Sequence, residues 1–172
     1  MMDKKTVLIL FGGMSNEYYV SRRSAASVIR ELDREKYDPV LVGMTQDGHW
    51  YLYEGNTDRI LDDTWMEGAT PAILSPDRSV HGLQIFAPDG VRTKYIDVIF
   101  PVVHGQHCED GSLQGLMELS GVPYVGPHVT AAALTFDKAF THIVAEQAGI
   151  KMARWLLVLA GDDLAEIGRA HV

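Results

Sequence analysis

Apolar residues follow two periodicities that alternate along the chain. Thr6-Val-Leu-Ile-Leu-Phe11 is an unbroken apolar-rich run that stops at Gly12-Gly13, the pattern of a strand buried on both faces of a parallel sheet. Ala25, Val28, Ile29 and Leu32 then recur at helical spacing, which predicts a helix starting near Ser21. Val40 to Met44 predicts the next strand, and Asp47-Gly48 a hairpin turn leading into Trp50-Tyr-Leu-Tyr53. Residues 55–95 show no sustained period and carry Pro71, Pro76 and Pro88. They read as an irregular insertion on the sheet edge, with Asp89-Gly90 turning a hairpin between Leu83-Gln-Ile-Phe86 and Tyr95. Ile96 to Phe100 resumes the buried-strand pattern and ends at Pro101, and Leu113, Leu116 and Met117 mark a helix after Gly111. A last helical region spans about Thr130 to Ala148, with Phe136, Phe140, Ile143 and Val144 on one side and Gly149 as its C-terminal cap. Trp155-Leu-Leu-Val-Leu159 reads as a final strand.

Strands alternating with helices predict an α/β fold, a doubly wound and mostly parallel sheet with a β-hairpin-containing insertion. In such sheets ligands bind beyond the carboxyl ends of the strands. Two loops lie there, Gly12 to Ser21 and Val103 to Gly111.

Composition narrows the function classes. The 172 residues suffice for one domain of ordinary size. The 47% hydrophobic and 22% charged fractions are those of a folded globular chain. A net charge of -8 argues against a nucleic-acid binder and for a small-molecule partner. With Cys108 the only cysteine, no intrachain disulfide can form, and cytoplasm is the expected compartment. No apolar run approaches the roughly 20 residues of a membrane span.

The two loops carry the candidate chemistry. Gly12-Gly-Met-Ser-Asn-Glu-Tyr-Tyr-Val-Ser21 joins a glycine turn to a helix start, where free amides and the helix dipole favour an anion. Glu17 in that setting can hold an ammonium while the amides hold an acid, a receptor for an amino acid. Equally, Glu17 and Ser21 can simply cap the helix. His104-Gly-Gln-His-Cys-Glu-Asp-Gly111 is dense in titratable groups: His104 can donate to a carboxylate, and Glu109 and Asp110 precede a helix whose dipole stabilises them. His104, His107, Cys108 and Glu109 could instead bind zinc, although their spacing is compressed and no second cluster accompanies them. Nothing marks Cys108 as a lowered-pKa nucleophile.

Phe11-Gly-Gly-Met-Ser-Asn-Glu17 with Val20-Ser21 and Ser24-Ala25 resembles the opening motif of the D-alanine-D-alanine ligases. His104-Gly with Glu109-Asp-Gly-Ser-Leu-Gln-Gly115 resembles their second motif. Pro123-Tyr-Val-Gly126, then Ala132-Ala-Leu134 and Asp137-Lys138, resembles a third. All stand in the family's order, so the resemblance covers about residues 5–160 and is specific in combination. It implies a Rossmann-like pre-ATP-grasp domain over residues 1–160. It further implies an ATP- and Mg²⁺-dependent ligase of peptidoglycan precursor synthesis, which joins two D-amino acids through an acyl phosphate. By the same resemblance Glu17 and His104 are catalytic and bind the first D-alanine together with Val20 and Ser21, Lys138 contacts ATP phosphate, and the full-length protein is a homodimer. Residue by residue, the alternative for Lys138 is a solvated helix lysine.

Two positions depart from the pattern. Cys108 stands where the family usually has glycine, which matters if that position needs a positive φ. Tyr18-Tyr19 replaces a polar pair, and tyrosine at the first position resembles the vancomycin-resistance ligases that make D-alanyl-D-serine. Family members are about twice as long, so the magnesium-binding acids and the ATP-grasp domain are expected outside these residues, with 161–172 a truncated tail. Glu166-Ile-Gly-Arg-Ala-His-Val172 back-translates to GAG ATC GGA AGA GCA CAC GTC, which resembles sequencing-adapter DNA, so residues 166–172 are expected to be an artefact. A natural short tail is the alternative. Outside the enzyme class, the competing reading is a non-catalytic amino-acid-binding module. A dinucleotide oxidoreductase is disfavoured because Gly12-Gly13 lacks the G-x-G-x-x-G spacing.

Overall fold

The computed structural model describes residues 3–159 and Gly161. The chain divides into a unit of residues 1–133 and a unit of residues 134–172. In the first, β1 (Lys5–Gly12), β2 (Tyr37–Met44), β3 (Trp50–Tyr53), β4 (Thr70–Leu74), β5 (Gly82–Ala87), β6 (Gly90–Tyr95) and β7 (Val98–Pro101) form one sheet in the order β6-β5-β4-β3-β2-β1-β7. The core of the sheet is parallel, β1 pairing with β2 from Lys5↔Tyr37 to Gly12↔Met44 and with β7 from Val7↔Val98 to Leu10↔Pro101. Beyond β2 every pairing is antiparallel.

The continuous apolar run of β1 is explained by burial on both faces. Leu8 and Leu10 point into one core with Leu113 and Met117 of α3 (Ser112–Ser120). Ile9 and Phe11 point into the other with Ala25 and Ile29 of α1 (Tyr18–Glu31). Helices on opposite faces of a parallel core make the predicted doubly wound layout. Trp65 closes the second core: it is fully buried, meets Phe11 edge-on at 4.9 Å, and fills the space where a Cβ on Gly43 would stand 2.4 Å from its ring.

Residues 55–95 lie at the sheet edge and contain the hairpin as expected, but they hold more regular structure than their sequence shows. They contain α2 (Thr57–Leu61) and β4 to β6, which extend the sheet to its far edge, and β5 and β6 form a hairpin that closes at Ala87↔Gly90 as its turn residues predict. Their period is unreadable because β6 is exposed along its whole length and so carries no apolar alternation. α1 begins at Tyr18, three positions before the predicted start.

In the second unit the predicted long helix is broken. α4 (Val129–Phe136), which begins in the first unit, ends where the Asp137 carboxylate accepts from the amides of Ala139 at 2.9 Å and Phe140 at 3.1 Å and so starts α5 (Lys138–Gln147). Gly149 follows α5 at φ +76, as a C-terminal cap requires. The strand expected over Trp155 to Leu159 is not formed: residues 151–159 carry no regular secondary structure, and Trp155, Leu156, Leu157 and Leu159 are exposed. An apolar run becomes a strand only where a ladder takes it, and the sheet does not include this one. The expectations for residues 162–172 lie outside the described residues. No helix among the described residues is long and apolar enough to cross a membrane.

Candidate functional site

Parallel pairing of β1 with β7 sets the two predicted loops side by side at the carboxyl ends of adjacent strands. Ser21 stitches them together. It is fully buried, its hydroxyl accepts from the Gly12 amide at 2.8 Å, and it donates to the Val102 carbonyl. That bond joins the end of β1, through α1, to the residue after β7. Ser15 adds a second link, donating to the His104 carbonyl at 2.6 Å and accepting from the Glu17 amide at 3.1 Å.

Glu17 occupies the N-cap position of α1, yet its side chain makes no capping hydrogen bond. The helix-cap alternative for Glu17 and Ser21 is therefore not how either side chain is used: one is spent between strands, and the other faces the loop of His104. The ligand atoms of Glu17, His104 and Glu109 lie within 4.8 Å of one another. His104 Nε2 lies 3.3 Å from the Ser24 hydroxyl one turn beyond Ser21, and Glu109 accepts from the Gly105 amide at 2.6 Å. Gly105 has φ +80, and a Cβ there would stand 3.0 Å from Ser15; only glycine lets these loops approach so closely. Beside Glu17 opens a cavity of about 250 Å³ lined by Met14, Ser15, Asn16, Glu17, Gly105 and Gln106. Val20 is exposed on the same helix and lines an open groove with Ser24, the neighbour of His104.

The positive-φ question raised by Cys108 has a definite answer. The non-glycine residue of this loop with positive φ is His107, at +64, and not Cys108. Cys108 is instead an internal packing group, buried with Leu10, Met44 and Leu113. Burial, reinforced by the charges of Asp110, Glu109 and Glu17, pushes its thiol up to about 11, which removes it as a nucleophile. Asp110 resists the burial that would raise its carboxyl, because the amides of Ser112 at 3.0 Å and His107 at 2.8 Å hold it below the ordinary range. Among the described residues, the group with metal-compatible geometry is Glu17, His104 and Glu109; the alternative zinc set that included His107 and Cys108 is not assembled.

Lys138 is the exposed first residue of α5, in the second unit. Sequence reasoning missed Ser15 and the pairing of Ser24 with His104. Both lay within the quoted opening motif without a role, and the part of Ser15 depends on a loop 89 residues away.

Residues 6–127 match the family described as the D-ala D-ala ligase N-terminus. A putative D-alanine-D-lactate ligase of Streptomyces coelicolor is 46% identical over 169 residues, covering 98% of this chain and 47% of that protein. A D-alanine-D-alanine ligase of a Thermoanaerobacter species is 43% identical, covering 91% of this chain and 44% of the relative. Among solved structures, the VanG D-Ala:D-Ser ligase of Enterococcus faecalis superposes with a TM-score of 0.82 at 38% identity, over 88% of this chain and 44% of that one. The chain thus spans a little under half the length of the relatives it matches.

Proposed function

The chain belongs to the D-alanine-D-alanine ligase family, through that family's N-terminal domain, and from this premise we propose that it binds the first D-alanine of an ATP-dependent D-alanine-D-alanine ligase. The observation that carries the proposal is the convergence of Glu17 and His104 from two separate loops, 87 positions apart in sequence, on one spot at the strand ends. Glu17 holds the substrate ammonium as a charge-assisted hydrogen bond and ion pair. His104, steadied by Ser24, donates to the substrate carboxylate and fixes the oxygen that reacts. Val20 lies beside the methyl group, and Ser21 acts from below by locking α1 to β1 and β7. Relatives carry names for D-alanine, D-lactate and D-serine products, and the first amino acid is the part those names share.

ATP with Mg²⁺ supplies the phosphoryl group that activates that carboxylate, in a cytoplasmic homodimer of the relatives' length. Lys138 suits a polyphosphate because it is an exposed ammonium at the start of α5. The first amides of that helix are already taken by Asp137, so the contribution is the lysine's charge and not the helix terminus. The acidic group at Glu17 serves the ammonium, and the magnesium ligands are assigned to the half of the relatives' length beyond this chain.

Titrating D-alanine into isotopically labelled chain should shift the amide resonances of Glu17, Gly105 and His104, with L-alanine weaker. No change at these positions refutes the amino-acid site. Joining the chain to the remaining half of a relative should restore D-alanine-dependent phosphate release from ATP, whereas the chain alone should release none. Binding without release in the joined protein would instead favour a non-catalytic binding module.

A further inference from the structure

Next to Glu17, on the face of α1 away from the substrate loop, lies a buried polar network that the proposed chemistry does not use. Tyr18 is only 6% exposed, and its hydroxyl donates to Asp63 at 2.7 Å while accepting from the Trp65 indole at 3.1 Å. Arg22, one turn along, stacks its guanidinium 4.8 Å over the Tyr18 ring, pairs with Asp63 at 3.0 Å, and donates to the Ile60 carbonyl at 3.0 Å. Asp63 adopts φ +61, a left-handed conformation costly for a residue with a side chain. Such a conformation persists where the surroundings over-determine it, and here Tyr18 and Arg22 both hold the carboxylate. Burial, with Asp63 as acceptor, pushes the Tyr18 hydroxyl up to about 12, so it stays a donor at any physiological pH.

We propose that Tyr18 and Asp63 are positioning residues for Glu17: their hydrogen bond fixes the rotation and height of the first turn of α1, and with it the carboxylate that meets the substrate ammonium. The anchor is rigid because Trp65 is wedged among Phe11, Tyr51 and Tyr53. The carboxylate is one peptide unit from the anchored tyrosine, so a slip of the helix start carries over to it in full. Glycine tolerates positive φ, so D63G removes the acceptor without adding backbone strain and leaves the Trp65 to Tyr18 bond in place, although it also removes the ion-pair partner of Arg22. Y18F removes the same bond from the other side, keeps the ring stacked on Arg22 and leaves the Arg22 to Asp63 pair in place, while taking the acceptor from the Trp65 indole.

The inference rests on the amino-acid site proposed above, and its test separates the two. In the labelled chain, D63G and Y18F should each move the Glu17 and Ser21 amide resonances, and should each raise the D-alanine dissociation constant by about fivefold or more, the order of loss expected when a binding group is displaced by a fraction of an ångström. D63G also takes the carboxylate from buried Arg22 and should melt lower than the parent, whereas Y18F keeps that pair. Equal losses of affinity in the two folded variants, despite unequal melting temperatures, are what a merely structural role would not produce. The double variant should lose less affinity than the sum of the two single losses, since the Tyr18 to Asp63 bond is a link that both break. An unmoved Glu17 amide in D63G, or unchanged affinity in a parent that binds, overturns the positioning role. A parent that shows no D-alanine binding overturns the amino-acid site, and the Glu17 amide still decides whether the network holds that residue.

Discussion

The sulfur of Cys108 packs directly on Gly13: a Cβ built on that glycine would stand 2.7 Å from it. Gly13 also has φ +112, so an added side chain meets both a steric and a conformational penalty. We expect G13A to destabilise the chain by about 3 kcal/mol in urea denaturation, from overpacking and forced positive φ together. Shrinking the neighbour should relieve only the steric part, so G13A/C108A should be more stable than the sum of the single effects by about 1 kcal/mol. Strict additivity would show that the loops do not press on each other here.

The same packing makes Cys108 chemically quiet. Its thiol is pushed up to about 11 by burial and neighbouring carboxylates, so at pH 8 only about one molecule in a thousand carries the reactive thiolate. Alkylation of the folded chain by iodoacetamide at pH 8 should run roughly 100-fold slower than for a free cysteine. It should accelerate as pH rises toward 11 and become ordinary in denaturant. Fast labelling of the folded chain at pH 8 would place the sulfur at the surface.

The parallel core was readable from the chain because β1 and β2 are buried on both faces and carry their signal in consecutive residues. Both site loops were readable for the related reason that they begin where the apolar runs of β1 and β7 stop. The return arm of the β5–β6 hairpin was readable only from its turn residues, since β6 is exposed, and β4 was not readable, since Pro71 and the exposed Ile73 break its apolar alternation. Trp155 to Leu159 misled for the opposite reason: it is apolar, yet it carries no regular secondary structure. The Tyr18, Asp63 and Trp65 network could not be seen in sequence at all. Its members are 45 and 47 positions from Tyr18, and no short spacing announces a bond between α1 and the α2–β4 connection.

Asp97, the residue before β7, ties that strand to the start of β1, accepting from Lys5 at 2.9 Å and from the Thr6 amide at 2.8 Å. The Lys5 ammonium, then the Thr6 amide, hold its carboxyl below the usual range. A carboxyl lowered by folding contributes stability above its unfolded value, near pH 4, and that contribution disappears as pH falls through the lower folded value. D97N should therefore lower the melting temperature at pH 7, and the gap to the parent should narrow as pH drops below about 4. A gap that stays constant down to pH 2 would mean that the charge on Asp97 contributes nothing.

Glu17 and Glu109 approach the same point but are committed differently, and this predicts unequal responses to loss of charge. Glu109 already accepts from the Gly105 amide at 2.6 Å, so its main task is to hold the loop that presents His104. Glu17 has no capping bond, and its charge is available to a ligand. Replacing a charged partner of an ammonium by a neutral amide removes a charge-assisted hydrogen bond, about 1.5–3 kcal/mol, or roughly 10- to 100-fold in affinity. E17Q should accordingly reduce D-alanine affinity by at least about tenfold with little change in melting temperature. E109Q keeps an oxygen that can accept from Gly105, so its affinity loss should be smaller, through the remaining electrostatic attraction alone. Calorimetric titration of D-alanine into the three proteins tests the order. If E109Q loses more than E17Q, the ammonium is held by Glu109, and the roles assigned to the two carboxylates must be exchanged.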